Sequence, residues 1–136
     1  MNQKIYENYA KLAVKIGINL QKGQDVVINA STRLVDIVKE VVKECYENGA
    51  RSVTVDWSNE EVQKLGWIYA DTEVLSEVPL WAEERAKYRA ETLPCKIYID
   101  DTDPNAFAGV DVMKMAEVRK AQFKVLKKSR DMSDNK

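Results

Sequence analysis

The pattern of apolar and polar residues between positions 21 and 57 predicts a strand, a crossover helix and a second, parallel strand. The run Asp25–Asn29 is short, apolar and β-branched, which is typical of a strand buried on both faces of a sheet. Apolar residues then recur at helical spacing from Leu34 to Cys45, with charged residues between them. Residues Arg51–Trp57 supply the second strand. Because a parallel pair needs such a crossover, which is nearly always right-handed, this segment predicts the α/β class.

The residues before the first strand predict a helix from about Gln3 to Leu20, which ends at Gln21–Gly23. Its spacing is that of an amphipathic helix with one apolar stripe. The stripe consists of Ile5, Tyr9, Leu12, Ile16 and Leu20.

The residues after the second strand predict three further helices and a third strand. Ser58–Glu61 is a helix-start signal, and Pro79 opens a second helix that extends to about Thr92. Lys96–Asp100 predicts the third strand, and Asp111–Arg130 predicts the last helix. The apolar face of the first of these helices is Val62, Leu65, Ile68 and Tyr69, and that of the last helix is Val112, Met115, Ala116, Phe123 and Leu126.

Together these elements predict a three-layer α/β fold with a flavodoxin-like or Rossmann-like parallel sheet. The helical crossovers put the first strand in the centre, in the order 2-1-3, with flanking helices. With 136 residues and 45% hydrophobic content, the chain suits a single domain over residues 1–136 better than two. Three strands are fewer than the usual number of about four to six. We therefore expect the fold to be truncated before a fourth strand.

The charge balance excludes two classes of partner. Twenty-one basic and 22 acidic side chains give a net charge of −1, so there is no electrostatic case for nucleic acid or a membrane surface. No apolar run approaches the roughly 20 residues that a membrane helix needs. We expect a cytoplasmic protein in which Cys45 and Cys95 are small buried hydrophobic residues and not a disulfide framework.

The chain contains no histidine. This removes the commonest general base and the commonest neutral metal ligand, so independent catalysis is not expected. The loop after the first strand, Asn29–Arg33, also lacks the glycines with which a backbone approaches a pyrophosphate.

One acidic cluster stands at the carboxyl end of the third strand, where open α/β sheets bind ligands. It consists of Asp100, Asp101 and Asp103, and Asp56 at the end of the second strand could join it to hold Mg²⁺. The alternative is a turn that leads to Pro104. We prefer the turn, because Asp side chains that bond to their own backbone account for every residue of the cluster.

A second candidate follows the first strand. Ser31, Thr32 and Arg33 could bind an anion at the start of the crossover helix. The simpler interpretation is that Ser31 or Thr32 caps the helix, that Arg33 is solvated, and that Gly49 ends the helix in the left-handed conformation. We prefer this interpretation, and Ser31–Arg33 and the three aspartates remain candidate cleft residues.

The order of short motifs along the chain resembles the N-terminal domain of the metalloaminopeptidases typified by aminopeptidase T, aminopeptidase S and PepS. The resemblance extends over nearly the whole chain. Its motifs are Asn8–Val14 with Gly17, Gln21–Gln24, Tyr46 with Gly49–Ala50, Val53–Trp57, Pro79–Trp81, and Asp103–Pro104 with Val110–Asp111.

The resemblance implies a cytoplasmic, homodimeric enzyme that removes N-terminal amino acids from peptides with two divalent metal ions of the zinc, cobalt or manganese type. It places the metal ligands in a C-terminal catalytic domain that this chain lacks, so residues 1–136 would be the N-terminal part of a longer, two-domain enzyme. It therefore gives no catalytic and no metal-binding residue here, and predicts that the fragment alone is inactive. The alternative from the residues alone is a free-standing flavodoxin-like binding or interaction module without enzymatic activity.

Overall fold

The computed structural model describes residues 3–100 and 104–134, and the chain forms two compact units. The first unit is Met1–Asn59 with Pro94–Thr102, and the second is Glu60–Leu93 with Asp103–Lys136. The single domain expected over the whole chain stays a prediction.

A three-stranded parallel sheet forms the centre of the first unit. Its strands are β1 (Asp25–Ser31), β2 (Ser52–Ser58) and β3 (Cys95–Ile99), in the order β2-β1-β3. The predicted α/β class, the parallel pairing and the central position of the first strand are confirmed. The first two strands extend further at their carboxyl ends than predicted, and β3 ends one residue before Asp100.

Two helices pack on one face of this sheet. Helix α1 (Gln3–Leu12) continues as a π-helical turn, Ala13–Gly17, and α2 (Val35–Glu47) follows a short 3₁₀ turn, Thr32–Leu34. The predicted first helix, which extended to Leu20, was too long. The α-helix ends earlier because the N–H of Ile18 donates to the carbonyl of Ala13 (3.0 Å), five residues back, and residue 19 then has a positive φ of 47°.

The core lies between these helices and alternate residues of the strands. Val26, Ile28 and Ala30 of β1 lie opposite Cys95, Ile97 and Ile99 of β3 in the register of the sheet, so all six point to one face. The buried residues of the core are Ala10, Val14, Val26, Ile28, Ala30, Val38, Val41, Cys45, Ile97 and Ile99.

The apolar stripe predicted on the first helix does not face this core. Ile5, Tyr9, Leu12 and Ile16 are between 41% and 74% exposed, whereas Ala10 and Val14 are buried. The helix therefore has two apolar faces. The face with the smaller side chains packs inward, because alanine and valine let α1 lie close to α2 and the sheet.

The turn between α2 and β2 requires a glycine. Gly49 has a φ of +92°, as predicted for a left-handed helix end, and its carbonyl accepts a hydrogen bond from the N–H of Gly23 (2.7 Å). A Cβ on Gly49 would lie 3.0 Å from Cγ of Lys22. Both the backbone conformation and the close approach of Lys22 would therefore strain a larger side chain.

The second unit is helical. It contains α3 (Glu60–Tyr69), α4 (Thr72–Ser76), α5 (Leu80–Thr92) and α6 (Val112–Asp134), and α6 packs against α4 and α5. The short α4 was not predicted. The carboxylate of Asp111 accepts hydrogen bonds from the N–H groups of Met113 (2.9 Å) and Lys114 (3.2 Å), which caps α6.

The apolar faces predicted for this unit differ from those observed. All four residues of the predicted face of α3 are exposed, as are Val112, Ala116 and Phe123 of α6. Val118 of α6, which was not in the predicted set, is fully buried. Helical spacing identified these segments as helices but not the side that packs.

A polar cluster joins the amino ends of β1 and β2. The carboxylate of Asp25 accepts hydrogen bonds from Nη2 of Arg51 and from Oγ of Ser52, both at 2.7 Å. The bond from Arg51, and then that from Ser52, holds the pKa of Asp25 below its usual value.

We expect Ile28→Ala to lower the free energy of unfolding by about 2 to 5 kcal/mol, because it removes a fully buried side chain from the core. The matched control is Ile16→Ala, at a position that is 74% exposed, where the change should stay within about 0.5 kcal/mol. Urea unfolding of both variants measures this. Equal losses in the two variants would contradict the packing described for α1 and the sheet.

We expect Asp25→Asn to destabilise the protein at neutral pH but much less in acid. A carboxyl group whose pKa is lowered on folding contributes stability above its unfolded pKa, near 3.9, and this contribution is lost as the pH falls through the folded pKa. Urea unfolding of the wild type and the variant between pH 7 and pH 3 tests this. A stability difference that stays constant down to pH 3 would show that the ionised carboxylate contributes nothing.

Candidate functional site

The carboxyl ends of the three strands lie at one edge of the sheet, together with the predicted site residues Ser31 and Asp100. Ser31 at the end of β1 is paired in register with Ser58 at the end of β2. Ala30 is paired with Ile99, so Asp100, the next residue, follows β3 at the level of Ser31. Ser31, Ser58 and Asp100 therefore lie at the edge where open α/β sheets bind ligands.

The hydroxyl groups at this edge take part in local hydrogen bonds. Ser31 is buried, and its Oγ accepts a hydrogen bond from the N–H of Arg33 (3.3 Å). Ser31 therefore caps the 3₁₀ turn that leads into α2, whereas α2 itself begins after Leu34 without a side-chain cap. Oγ1 of Thr32 accepts a hydrogen bond from Nδ2 of Asn59 (2.9 Å). These bonds fix the start of the crossover helix against the end of β2. They support the capping interpretation over an anion site.

Ser58 and Asn59 also lie at this edge. The sequence indicated them only as the start of a helix. Oγ of Ser58 donates a long hydrogen bond to the carbonyl of Ala30 (3.4 Å), and Asn59 reaches Thr32. Their position was available from the sequence, because they end the second of two parallel strands and such ends meet at one edge.

The carboxylates do not assemble a metal site in the part of the chain that the structure describes. Asp101 and Asp103 lie outside the described residues. Asp56 is two residues inside the end of β2, in one row of the sheet with Asn29 and Tyr98. Among residues 3–100 and 104–134, no three His, Cys, Asp or Glu side chains are placed to hold a metal ion. The described residues thus do not fit a metal pair.

The second face of the sheet is polar. Two rows cross it, with Thr54, Val27 and Lys96 in one and Asp56, Asn29 and Tyr98 in the next. A parallel sheet covered on both faces is usually apolar on both, so this composition departs from the common pattern. It also explains why alternation, and not a continuous apolar run, characterises β2 and β3.

Neither cysteine is an activated nucleophile. Burial in the core is the main cause that raises the pKa of the Cys45 thiol to about 11, with smaller contributions from Cys95 and Glu44. Burial also raises the pKa of the half-buried Cys95, whose Sγ lies 3.2 Å from Oε1 of Gln24. Both are therefore protonated thiols at neutral pH.

The helices in the described part of the chain are all too short or too polar to cross a lipid bilayer.

Comparison with known proteins identifies relatives that match more than nine-tenths of the chain. The chain is 40% identical over 125 residues to aminopeptidase AmpS of Bacillus subtilis (strain 168), a match that covers 92% of this chain and 30% of the relative. It is 30% identical over 124 residues to aminopeptidase 2 of Geobacillus stearothermophilus, which covers 91% of this chain and 30% of that relative. The chain thus spans about 30% of the length of these curated relatives.

A solved structure has the same fold. Wild-type AmpT from Thermus thermophilus superposes with a TM-score of 0.82 at 27% sequence identity, over 96% of this chain and 33% of that one. The sequence pattern of the family described as thermophilic metalloprotease (M29) matches residues 2–136. The chain therefore belongs to the thermophilic metalloprotease (M29) family.

Proposed function

We propose that this chain is the N-terminal, non-catalytic domain of a two-metal aminopeptidase that removes N-terminal amino acids from peptides. The proposal rests on how much of this chain, and how much of each relative, the match covers. More than nine-tenths of the chain matches proteins named as aminopeptidases, yet the match accounts for only 30% of their length.

The chemistry of the chain supports a non-catalytic role. A two-metal mechanism needs bridging carboxylates and a metal-activated water, and the described residues offer no group that fits a metal ion. We assign no catalytic or metal-binding role to Ser31, Thr32, Arg33, Asp100, Asp101 or Asp103. Two divalent ions, of the zinc, cobalt or manganese type, would be bound by a C-terminal catalytic domain of the longer protein.

The surface supports association with such a domain. Large apolar side chains are exposed on α1, α3 and α5, with Tyr69 and Leu80 among the most exposed. Exposed apolar side chains on a helix are available for contact with another domain. The full-length protein would be a cytoplasmic homodimer that acts on peptides, with no nucleic-acid or membrane partner.

We expect the chain alone to show no metal-dependent peptidase activity, because it lacks histidine and the described residues assemble no metal site. The measurement is hydrolysis of leucine p-nitroanilide after addition of zinc, cobalt or manganese, with equilibrium dialysis to count the bound metal. Turnover that is lost in Asp100→Asn or Asp101→Asn would place the active site within this chain and overturn the proposal.

A chimera that is expected to be active complements this test. Residues 1–136 would replace the matching segment of AmpS from Bacillus subtilis, and unaltered AmpS would be the reference. We expect the chimera to keep metal-dependent activity, and Asp100→Asn within it to leave kcat and the metal content unchanged. A lower metal content in that variant would show that this domain supplies a ligand.

A further inference from the structure

Two adjoining surface cavities, both open to solvent, lie in the second unit. One has a volume of about 450 Å³ and the other about 390 Å³, and Phe107 and Arg119 form part of the wall of both. Volumes of this size are in the range of pockets that bind small organic ligands. We refer to the two together as the Arg119 groove.

Polar contacts connect α6 to the end of α3 and to α4, the helices that carry Trp67 and Leu75. Nζ of Lys114 donates a hydrogen bond to the carbonyl of Ala70 (2.5 Å), directly after α3. Nε2 of Gln122 donates to the carbonyl of Leu75 (2.9 Å) in α4. Both contacts are made to carbonyls at or near helix ends, which lack an intrahelical partner. Arg119 lies between these two anchor points on the same helix.

The walls of the groove are mainly apolar. Trp67 and Leu75 line one cavity, and Val110, Met115 and Pro104 line the other. Val110 is buried, and the loop that carries it turns at Gly109, which has a φ of +86°. Such walls favour an apolar organic group over a small hydrated ion.

A single charged side chain lines the groove. The guanidinium of Arg119 lies 5.9 Å from the ring centroid of Trp67, so the aromatic ring supports one face of it. In the described part of the chain, no acidic side chain lines either cavity, and no ion pair joins Arg119 to a carboxylate. The groove is thus complementary in charge to an anion.

We propose that the Arg119 groove binds the carboxyl-terminal end of a short apolar peptide. The terminal carboxylate pairs with the planar guanidinium, which matches it with two parallel hydrogen bonds, and the last side chain fills the apolar cavity beside Phe107. The choice of a peptide as the ligand rests on the proposed aminopeptidase function, while the choice of an apolar carboxylate rests on the groove alone.

The test is a titration of the chain with the tripeptide Ala-Leu-Leu and with its C-terminal amide, followed by ¹H–¹⁵N NMR. We expect the free acid to bind about tenfold more tightly than the amide, because a hydrogen bond to a charged group is worth more than one to a neutral group. The indole N–H of Trp67 and the amides of residues 107–119 should shift most.

Matched variants test where the terminal carboxylate of the peptide binds. Arg119→Gln should lower the affinity for the acid to that of the amide. Lys120→Gln removes a positive charge from the next residue, which is exposed and does not line the groove, and should leave both affinities unchanged. Phe107→Ala should weaken the acid and the amide alike. A dispersed NMR spectrum of each variant shows that it is folded.

Four results would overturn the proposal: no binding at millimolar peptide, equal affinity for the acid and the amide, an unchanged affinity in Arg119→Gln, or inorganic phosphate bound as tightly as the peptide. None of these results would alter the aminopeptidase proposal, which the activity of the AmpS chimera decides. Conversely, an inactive chimera would leave the acid-to-amide ratio of this chain unaffected.

Discussion

The packing of α1 and α2 on one face of the parallel sheet is the constraint on which the first unit depends. A parallel pair such as β1 and β2 needs a crossover, and the crossover helix must bury its apolar side. Ile28 in the central strand contacts this layer in the middle of the core, and Val41 and Val14 bring the two helices onto it. The edge strand β2 is protected by the same helix, since the hydroxyl of Tyr46 accepts a hydrogen bond from the N–H of Val53 (3.1 Å).

This packing also determines what the carboxyl edge of the sheet can do. The crossover helix begins at that edge, so Ser31 and Thr32 are used to fix its start, one by the N–H of Arg33 and the other by Asn59. These two hydrogen bonds hold the loop after β1 in place. A structural role for these hydroxyl groups supports the proposal that this chain is a non-catalytic domain of a metallopeptidase.

The sequence predicted the parts of the fold that local rules decide. Gly49, Ser31 and the β-branched strands each follow from backbone or capping chemistry, and the strand order follows from the crossovers. The side of α1 that packs inward was not predictable, because both of its faces are apolar and only the close approach to α2 selects Ala10 and Val14 over Leu12. The Arg119 groove depends on contacts such as that of Lys114 with Ala70, which are 44 residues apart in the chain and leave no periodic signal.

The central claim is that this chain contributes no ligand to the metals of the enzyme. The most direct measurement is anomalous diffraction at the metal absorption edge from crystals of the AmpS chimera that carries residues 1–136. The account predicts two anomalous peaks, both ligated only by residues outside this segment. A peak whose ligands include any side chain of residues 1–136 would contradict it.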